Sequence, residues 1–136
     1  MTDKVLGILG LMRKAGAVVL GEDDSSAAVL AGKGRLLILP SDAGEKKKER
    51  ASRYVDGRSC ELVLLPYSEK ELSEAVGVGG CTMAAVTDIG FADSLMKQLA
   101  ASDPDRYGQS ADAVHEKLLR ITRRKTEKPG VKARKM

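Results

Sequence analysis

The stretch from Gly21 to Leu39, G-E-D-D-S-S-A-A-V-L-A-G-K-G-R-L-L-I-L, decides the fold of this chain. A glycine is followed by a short helix-compatible run, a glycine-lysine break and an apolar run that ends at Pro40. The pattern predicts a short helix capped by Asp23 or Asp24, and then a strand that is covered on both faces. The residues expected on the buried face of this helix are Ala27, Ala28, Leu30 and Ala31.

Strands alternate with helical segments on both sides of this stretch. Helices are predicted over 3–15, 43–56 and 89–101, and a shorter one begins at Ser68 with Glu71 in the capping-box position. Ser41-Asp42 is expected to start the helix over 43–56, and Asp88 to cap the helix over 89–101. This order predicts a layered α/β sandwich around a mixed sheet. The four predicted strands are 17–20, 35–39, 60–65 and 81–86.

The predicted helix over 43–56 has a basic face and an apolar face. On a helical wheel Lys46, Arg50 and Arg53 fall together, which indicates a solvated stripe. The stripe expected to face the core contains Ala51, Tyr54 and Val55.

Charge is distributed unevenly along the chain. Residues 1–101 carry 13 basic and 14 acidic side chains, whereas residues 102–136 carry 10 basic and 5 acidic ones. The sequence therefore predicts an α-β-α domain over 1–101 and a basic C-terminal tail over 102–136, partly helical or disordered. A basic amphipathic helix is expected over 110–128, closed by Pro129-Gly130, with disorder over 131–136. Such a tail is suited to gripping RNA, docking on the domain or binding an acidic groove of a protein partner.

Several functional classes are disfavoured by composition. The chain lacks an apolar run of about 20 residues and a secretory pattern, which argues against a membrane partner and for a cytoplasmic location. Cys60 and Cys81 are far apart in strand-like sequence and His115 lies in the tail, so buried reduced thiols and a solvated histidine are the better interpretation. We therefore expect no enzyme, no metal site and no cofactor.

Three acids, Glu22, Asp23 and Asp24, crowd the start of the helix that follows Gly21. One interpretation is structural, because acids complement the dipole of a helix N-terminus. The other is functional, because a carboxylate accepts two donors side by side, the arrangement that guanine offers on its Watson–Crick edge. A carboxylate placed here is suited to reading guanine in distorted RNA.

Three segments resemble the L-seven-Ae/L-thirty-e ribosomal protein superfamily, and most of all its small bacterial branch. They are V-L-G-E-D-D-S-S-A-A-V-L-A-G-K-G-R-L-L-I-L-P-S-D-A at 19–43, K-E-L-S-E-A-V-G at 70–77 and A-A-V-T-D-I-G-F-A at 84–92. The resemblance covers about residues 3 to 100. It implies a three-layer α-β-α sandwich with a four-stranded mixed sheet. It also implies binding to kink-turn RNA, in which tandem sheared G·A pairs bend an internal loop.

The family motif is kept only in part. Gly21 matches the glycine before the second helix, and Asp24 stands at the position of the guanine-reading glutamate. Asp23 replaces a polar or basic residue, and Ala27 replaces a lysine. In the loop that packs on an extruded base in the family, Val78 is the aliphatic candidate, followed by Gly79 and Gly80.

These observations predict a non-enzymatic RNA-binding protein of ribosome-associated type, with ribosomal or kink-turn RNA as its partner. The alternative is a protein-interaction module on the same fold that has lost kink-turn recognition. Lys33, Lys46 and the tail are expected to contact phosphates. The complete set of candidate RNA-binding residues is Gly21, Glu22, Asp23, Asp24, Lys33, Lys46, Val78, Gly79 and Gly80.

Overall fold

The computed structural model describes the backbone of residues 3–132 and the side chains of residues 3–124. Over these residues helices and strands alternate as predicted, and the α/β class is confirmed. In chain order the elements are α1 (Lys4–Ala15), β1 (Val18–Leu20), α2 (Glu22–Leu30), β2 (Leu36–Leu39), α3 (Glu45–Val55), β3 (Glu61–Leu64), α4 (Glu69–Val76), β4 (Ala84–Val86), α5 (Ile89–Ser102) and α6 (Pro104–Lys132).

The four strands form one mixed sheet in the order β1-β4-β2-β3. β4 is antiparallel to β1 and β2, whereas β2 and β3 are parallel. Leu20 is paired with Ala84, and Leu36 with Val86. The sheet thus has a Gly21 end, where β1 ends and β4 begins, and an Arg35 end, where β2 begins and β4 ends.

The side chains of β2 build the two halves of the core. Leu36 and Ile38 belong to the cluster formed with α1, α4 and α5, whereas Leu37 and Leu39 belong to the cluster formed with α2 and α3. All four side chains are fully buried. Successive residues of a strand point to opposite faces, so helices must lie on both sides of the sheet. The three-layer α-β-α sandwich with a four-stranded mixed sheet is confirmed.

The start of α2 differs from the prediction. Gly21 occupies the N-cap position at φ +92°, and no side chain caps the helix, so the expected cap by Asp23 or Asp24 was wrong. The Gly21 N–H donates to the Met83 carbonyl oxygen at 2.8 Å, which turns the chain directly from β1 into α2. A positive φ of this kind favours glycine because it lacks a Cβ atom.

The buried face of α2 was also predicted wrongly. The residues of this helix that are buried are Ser25 and Val29. Leu30 is 52% exposed, because α2 turns its small polar Ser25 toward β1 instead. Ala27 and Ala31 are exposed as well, and Ala28 is half-buried.

The prediction of the remaining helix starts was wrong for α3 and right for α4 and α5. α3 begins at Glu45 after Gly44, because the Asp42 carboxylate accepts from the Glu69 N–H at 2.9 Å and so ties the loop to α4. Ser68 and Glu71 form the expected capping box of α4. Asp88 caps α5 by accepting from the Phe91 N–H.

The tail forms a helix that packs on the sandwich. α6 begins at Pro104, six residues before the predicted start, and its backbone continues through Pro129-Gly130 to Lys132. Tyr107 and Val114 join the core, with 4% and 2% exposure. The Tyr107 hydroxyl donates to the Leu64 carbonyl oxygen at 2.7 Å, beside the edge strand β3. The domain boundary after residue 101 stays a prediction, and residues 133–136 of the predicted disordered end lie outside the described residues.

A close approach at Gly34 yields a stability prediction. A Cβ atom at Gly34 would lie 2.9 Å from the Val29 side chain and 3.2 Å from its Cα atom, so Gly34→Ala forces α2 away from β2. We expect the free energy of unfolding to fall by about 1–3 kcal/mol in denaturant titrations. Gly79→Ala is the control, because no atom lies within 4 Å of its Cβ position and the change should be near zero. Equal stability of both variants would contradict the packing described.

Candidate nucleic-acid interface

Two separately predicted parts of the site meet at the Gly21 end of the sheet. The start of α2 is joined to the segment before β4 by the hydrogen bond from the Gly21 N–H to the Met83 carbonyl oxygen. The first turn of α3 joins them through Lys47, whose Nζ donates to the Thr82 hydroxyl oxygen at 2.9 Å. The residues Gly21 to Asp24, the loop 77–83 and the basic start of α3 therefore form one surface, which we call the Gly21 surface.

Glu22 binds α3 with both of its carboxylate oxygens. Arg50 donates from Nε to Oε2 at 2.6 Å and from Nη2 to Oε1 at 2.9 Å. The Tyr54 hydroxyl donates to Oε2 at 2.7 Å, and Lys47 lies 3.5 Å from Oε1. The Glu22 side chain is only 21% exposed, and a two-pronged guanidinium pair of this kind is among the stronger charge-assisted contacts. Glu22 thus fixes the position of α3 beside α2.

The electrostatics of Glu22 follow from these donors. The hydrogen bonds from Arg50 and Tyr54 favour the charged carboxylate and lower its pKa to about 2. The same carboxylate raises the pKa of the Tyr54 hydroxyl. At neutral pH the acid is ionised and neutralised by cations of α3, so the surplus negative charge at the start of α2 is carried by Asp23 and Asp24.

Glu22 makes the stability of the fold depend on pH at the acidic end. Its pKa is lower in the folded chain than its ordinary value of 4.5, so it stabilises the fold above about pH 4.5 and loses this effect as the pH falls toward 2. We expect Glu22→Gln to reduce the free energy of unfolding by about 1–2 kcal/mol at pH 7 and to flatten its decline between these pH values. Urea titrations at several pH values measure both effects. Glu49→Gln, at an exposed position of α3, should change little.

Asp23, Asp24 and Lys46 are exposed on the Gly21 surface. The Asp23 backbone carbonyl accepts from the Ser26 hydroxyl at 3.1 Å, which stabilises the first turn of α2. The two carboxylates can accept N–H donors from outside the chain, and Lys46 adds a positive charge at the start of α3. Their roles in RNA binding stay predictions.

The loop 77–81 is held from inside the fold. The Ser73 hydroxyl accepts from the Cys81 N–H at 2.8 Å, and the Ser73 carbonyl accepts from the Val78 N–H at 3.1 Å. Val78 is half-buried against the core, whereas Gly79 and Gly80 are exposed. The loop therefore presents two glycines whose backbone a ligand can approach closely, with part of Val78 beneath them.

Lys33 does not lie with the other candidate residues. It follows the C-terminal end of α2, which spans nine residues and so about 14 Å. Arg35, two residues after Lys33, donates from its backbone N–H to the carbonyl oxygen of Val86, the last residue of β4. Lys33 is therefore at the Arg35 end of the sheet, together with the basic part of α6. Two basic residues of the predicted tail helix, Lys125 and Lys128, have side chains that lie outside the described residues.

The thiols and the histidine have structural surroundings. Burial raises the pKa of the Cys60 thiol to about 11 and also raises that of Cys81, so both are protonated at neutral pH. His115 is half-exposed and its Nδ1 lies 3.0 Å from an oxygen of Asp93, a buried acid that Lys97 also contacts. Among the residues with described side chains, no three His, Cys, Asp or Glu residues are grouped as a metal site would require. No described helix is long and apolar enough to cross a membrane.

Sequence reasoning missed the contacts that build the Gly21 surface. Arg50 and Tyr54 were assigned to opposite faces of the third helix, but both contact Glu22, so that assignment was wrong. Their spacing of four residues was the available signal, since residues four apart share a helix face. Lys47 and Thr82 carried no local signal, because their contact joins α3 to the segment before β4.

This chain was compared with protein families, with individual proteins and with solved structures. No protein-family model matches the chain. The RNA-binding protein YlxQ of Bacillus subtilis (strain 168) is 31% identical over 96 residues, which span 68% of this chain and 91% of the relative. The structure of a protein of unknown function from Bacillus halodurans C is similar with a TM-score of 0.67 and 28% identity, covering 71% of this chain and 97% of that one.

Proposed function

This chain belongs to the family of the Bacillus subtilis RNA-binding protein YlxQ, and from that premise we propose that it is a non-enzymatic protein that binds structured RNA with its Gly21 surface. One observation carries the proposal: the hydrogen bonds of Gly21 with Met83 and of Lys47 with Thr82 bring the start of α2, the loop before β4 and a basic helix face together. The resemblance to the L-seven-Ae/L-thirty-e superfamily implicates the first two of these segments in RNA contacts.

Each group on the surface has a distinct task in the proposed complex. Asp24 accepts the N–H and NH₂ donors of a guanine whose Watson–Crick edge is exposed. Gly79 and Gly80 admit a nucleotide close to the backbone, and Val78 packs on its base. Lys46 contacts the phosphate backbone and supplies the salt-dependent part of the affinity. Glu22 acts through Arg50, which holds α3 and its cations in place.

The finer proposal is that the RNA is a kink-turn. Its support is the match of Gly21 and Asp24 to the family motif, in which Ala27 of this chain replaces a lysine donor. Asp24 is exposed at the start of α2, so its carboxylate could face the exposed Watson–Crick edge of a guanine in the tandem sheared G·A pairs.

Fluorescence anisotropy tests both levels of the proposal. The full chain is titrated into a labelled kink-turn RNA and into the same duplex with the G·A pairs replaced by Watson–Crick pairs, over a series of salt concentrations. We expect tighter binding to the kink-turn and an affinity for it that falls as salt rises. Equal affinity for both RNAs would contradict kink-turn recognition, and no binding to either at low salt would contradict RNA binding.

We further infer a ribosome-associated role in the cytoplasm. The support is the resemblance to ribosomal proteins together with two free, buried cysteines. Sucrose-gradient sedimentation of cell lysate should place the chain with ribosomal particles, and high salt should release it. Sedimentation with free protein only, at low salt, would contradict this role.

A further inference from the structure

The Arg35 end of the sheet contains two adjoining cavities that the proposed function does not use. Their volumes are about 160 and 230 Å³, and both are lined by Ser59 and Lys117. Arg35, Glu61 and Arg120 complete the polar lining of the smaller one, which we call the Arg35 cavity. It therefore carries three positive charges and one negative charge.

Arg35 has a buried donor without an acceptor. Its backbone N–H donates to Val86, but its side-chain Nε has no hydrogen-bond partner among the residues that the structure describes, although it is shielded from solvent. Buried polar groups in folded proteins are nearly always paired, and a guanidinium N–H gains most from an anionic acceptor. The Arg35 guanidinium, which lines the cavity, forms no ion pair with a described acid, so an anion in the cavity would offset its charge.

Lys117 of α6 is a second cation that lines the Arg35 cavity. Its Nζ donates to the backbone oxygen of Ser59 at 2.5 Å and to the Ser59 hydroxyl oxygen at 2.6 Å. An ammonium group has three donors, so one is left for a ligand. Burial lowers the pKa of Lys117 most, and the nearby positive charges of Arg35 and Arg120 lower it further.

Two further groups define the charge of the cavity. Glu61 is the opposing acid, and its carboxylate oxygen accepts from the Ser110 hydroxyl of α6 at 3.1 Å. Arg120 is about half exposed at the mouth and lies 3.9 Å from Glu116. With Arg120 close to Glu116, Arg35 and Lys117 still exceed Glu61 by one positive charge, so the cavity favours an anion.

We propose that the Arg35 cavity binds a phosphate group. The guanidinium of Arg35 supplies a delocalised positive charge and N–H donors at the cavity wall, and Lys117 offers its remaining donor to a phosphate oxygen. The group is either inorganic phosphate or a backbone phosphate of an RNA strand. The site lies at the opposite end of the sheet from the Gly21 surface, and its existence does not depend on the proposed function.

Amide NMR spectra of the full chain test the proposal with two separate probes, inorganic phosphate and a short single-stranded oligoribonucleotide. We expect saturable shifts at Arg35, Ser59 and Lys117 with at least one of them. A response to phosphate identifies the free ion as a sufficient ligand, and a response to the oligonucleotide alone identifies the strand as its source. Absence of shifts at these residues with both probes would overturn the proposal.

Matched variants separate specific binding from general charge. Arg35→Gln combined with Lys117→Gln should weaken binding roughly tenfold or more, whereas Arg13→Gln combined with Lys14→Gln, on the exposed end of α1, should leave it unchanged. If the double variant of Arg35 and Lys117 disturbs folding, Arg120→Gln replaces it as the test. Arg120 is about half exposed, so this substitution should leave the unfolding transition unchanged. It should weaken binding several-fold. Wild-type affinity in Arg120→Gln and in the Arg35 pair would overturn the proposal.

Discussion

Replacing Tyr107 with alanine is expected to lower the free energy of unfolding by about 3 kcal/mol. The side chain is 4% exposed within the core that α6 shares with α1 and α5, so the truncation leaves a cavity. It also leaves the Leu64 carbonyl oxygen without the hydroxyl donor that lies 2.7 Å away. The reason for so large an effect is that α6 closes the sandwich beside the edge strand β3. Denaturant unfolding followed by circular dichroism measures it.

Two further variants isolate the causes. Tyr107→Phe removes only the hydroxyl group and should lower the free energy of unfolding by about 1 kcal/mol. Leu119→Ala changes a side chain of α6 that is 48% exposed and should have an effect within about 0.5 kcal/mol. If Tyr107→Ala were as stable as the wild type, the packing of Tyr107 in the core would be contradicted.

Replacing Asp24 with asparagine is expected to weaken binding to kink-turn RNA by about 1–3 kcal/mol, or roughly 5- to 150-fold. The carboxylate offers two acceptors to the paired donors of guanine, whereas the asparagine amide offers one acceptor and one donor. The NH₂ group of the asparagine would then face one of the two N–H donors of the guanine. Anisotropy titration at fixed salt concentration measures the loss.

The neighbouring acid provides the control. Asp23→Asn removes the same charge from the same helix turn, so both variants lose a similar stabilisation by the helix dipole. Because Asp23 is exposed and would lie near phosphates, its neutralisation should leave the affinity unchanged or raise it. Equal losses in both variants would contradict a specific reading role for Asp24.

Most helices and strands of the fold could be predicted from local sequence patterns. The apolar run of β2 and the starts of α4 and α5 were predicted because burial on both faces and capping are determined by residues close together in sequence. Gly21 was recognised as the glycine before the second helix, but its role as the N-cap was not, since its backbone is held by a hydrogen bond with the distant Met83. The early start of α6 was missed for the same reason, because Tyr107 is buried against Leu64, 43 residues away.

Less of the candidate site than of the fold could be predicted from the sequence. Glu22 was predicted as a ligand-facing acid, yet its oxygens are bound by Arg50 and Tyr54, which lie 28 and 32 residues further along the chain. Lys33 and Lys46 were grouped by their charge, but they precede and follow β2 and so lie at opposite ends of the sheet. The Arg35 cavity has no sequence signal, since β2, β3 and α6 each supply a part of it.

Crosslinking tests the central claim most directly. The full chain is irradiated with ultraviolet light in complex with a kink-turn RNA, and the crosslinked peptides are identified by mass spectrometry. RNA binding by the Gly21 surface predicts adducts within residues 21–24 and 77–83. Adducts confined to other parts of the chain, with none in these two segments, would contradict the claim.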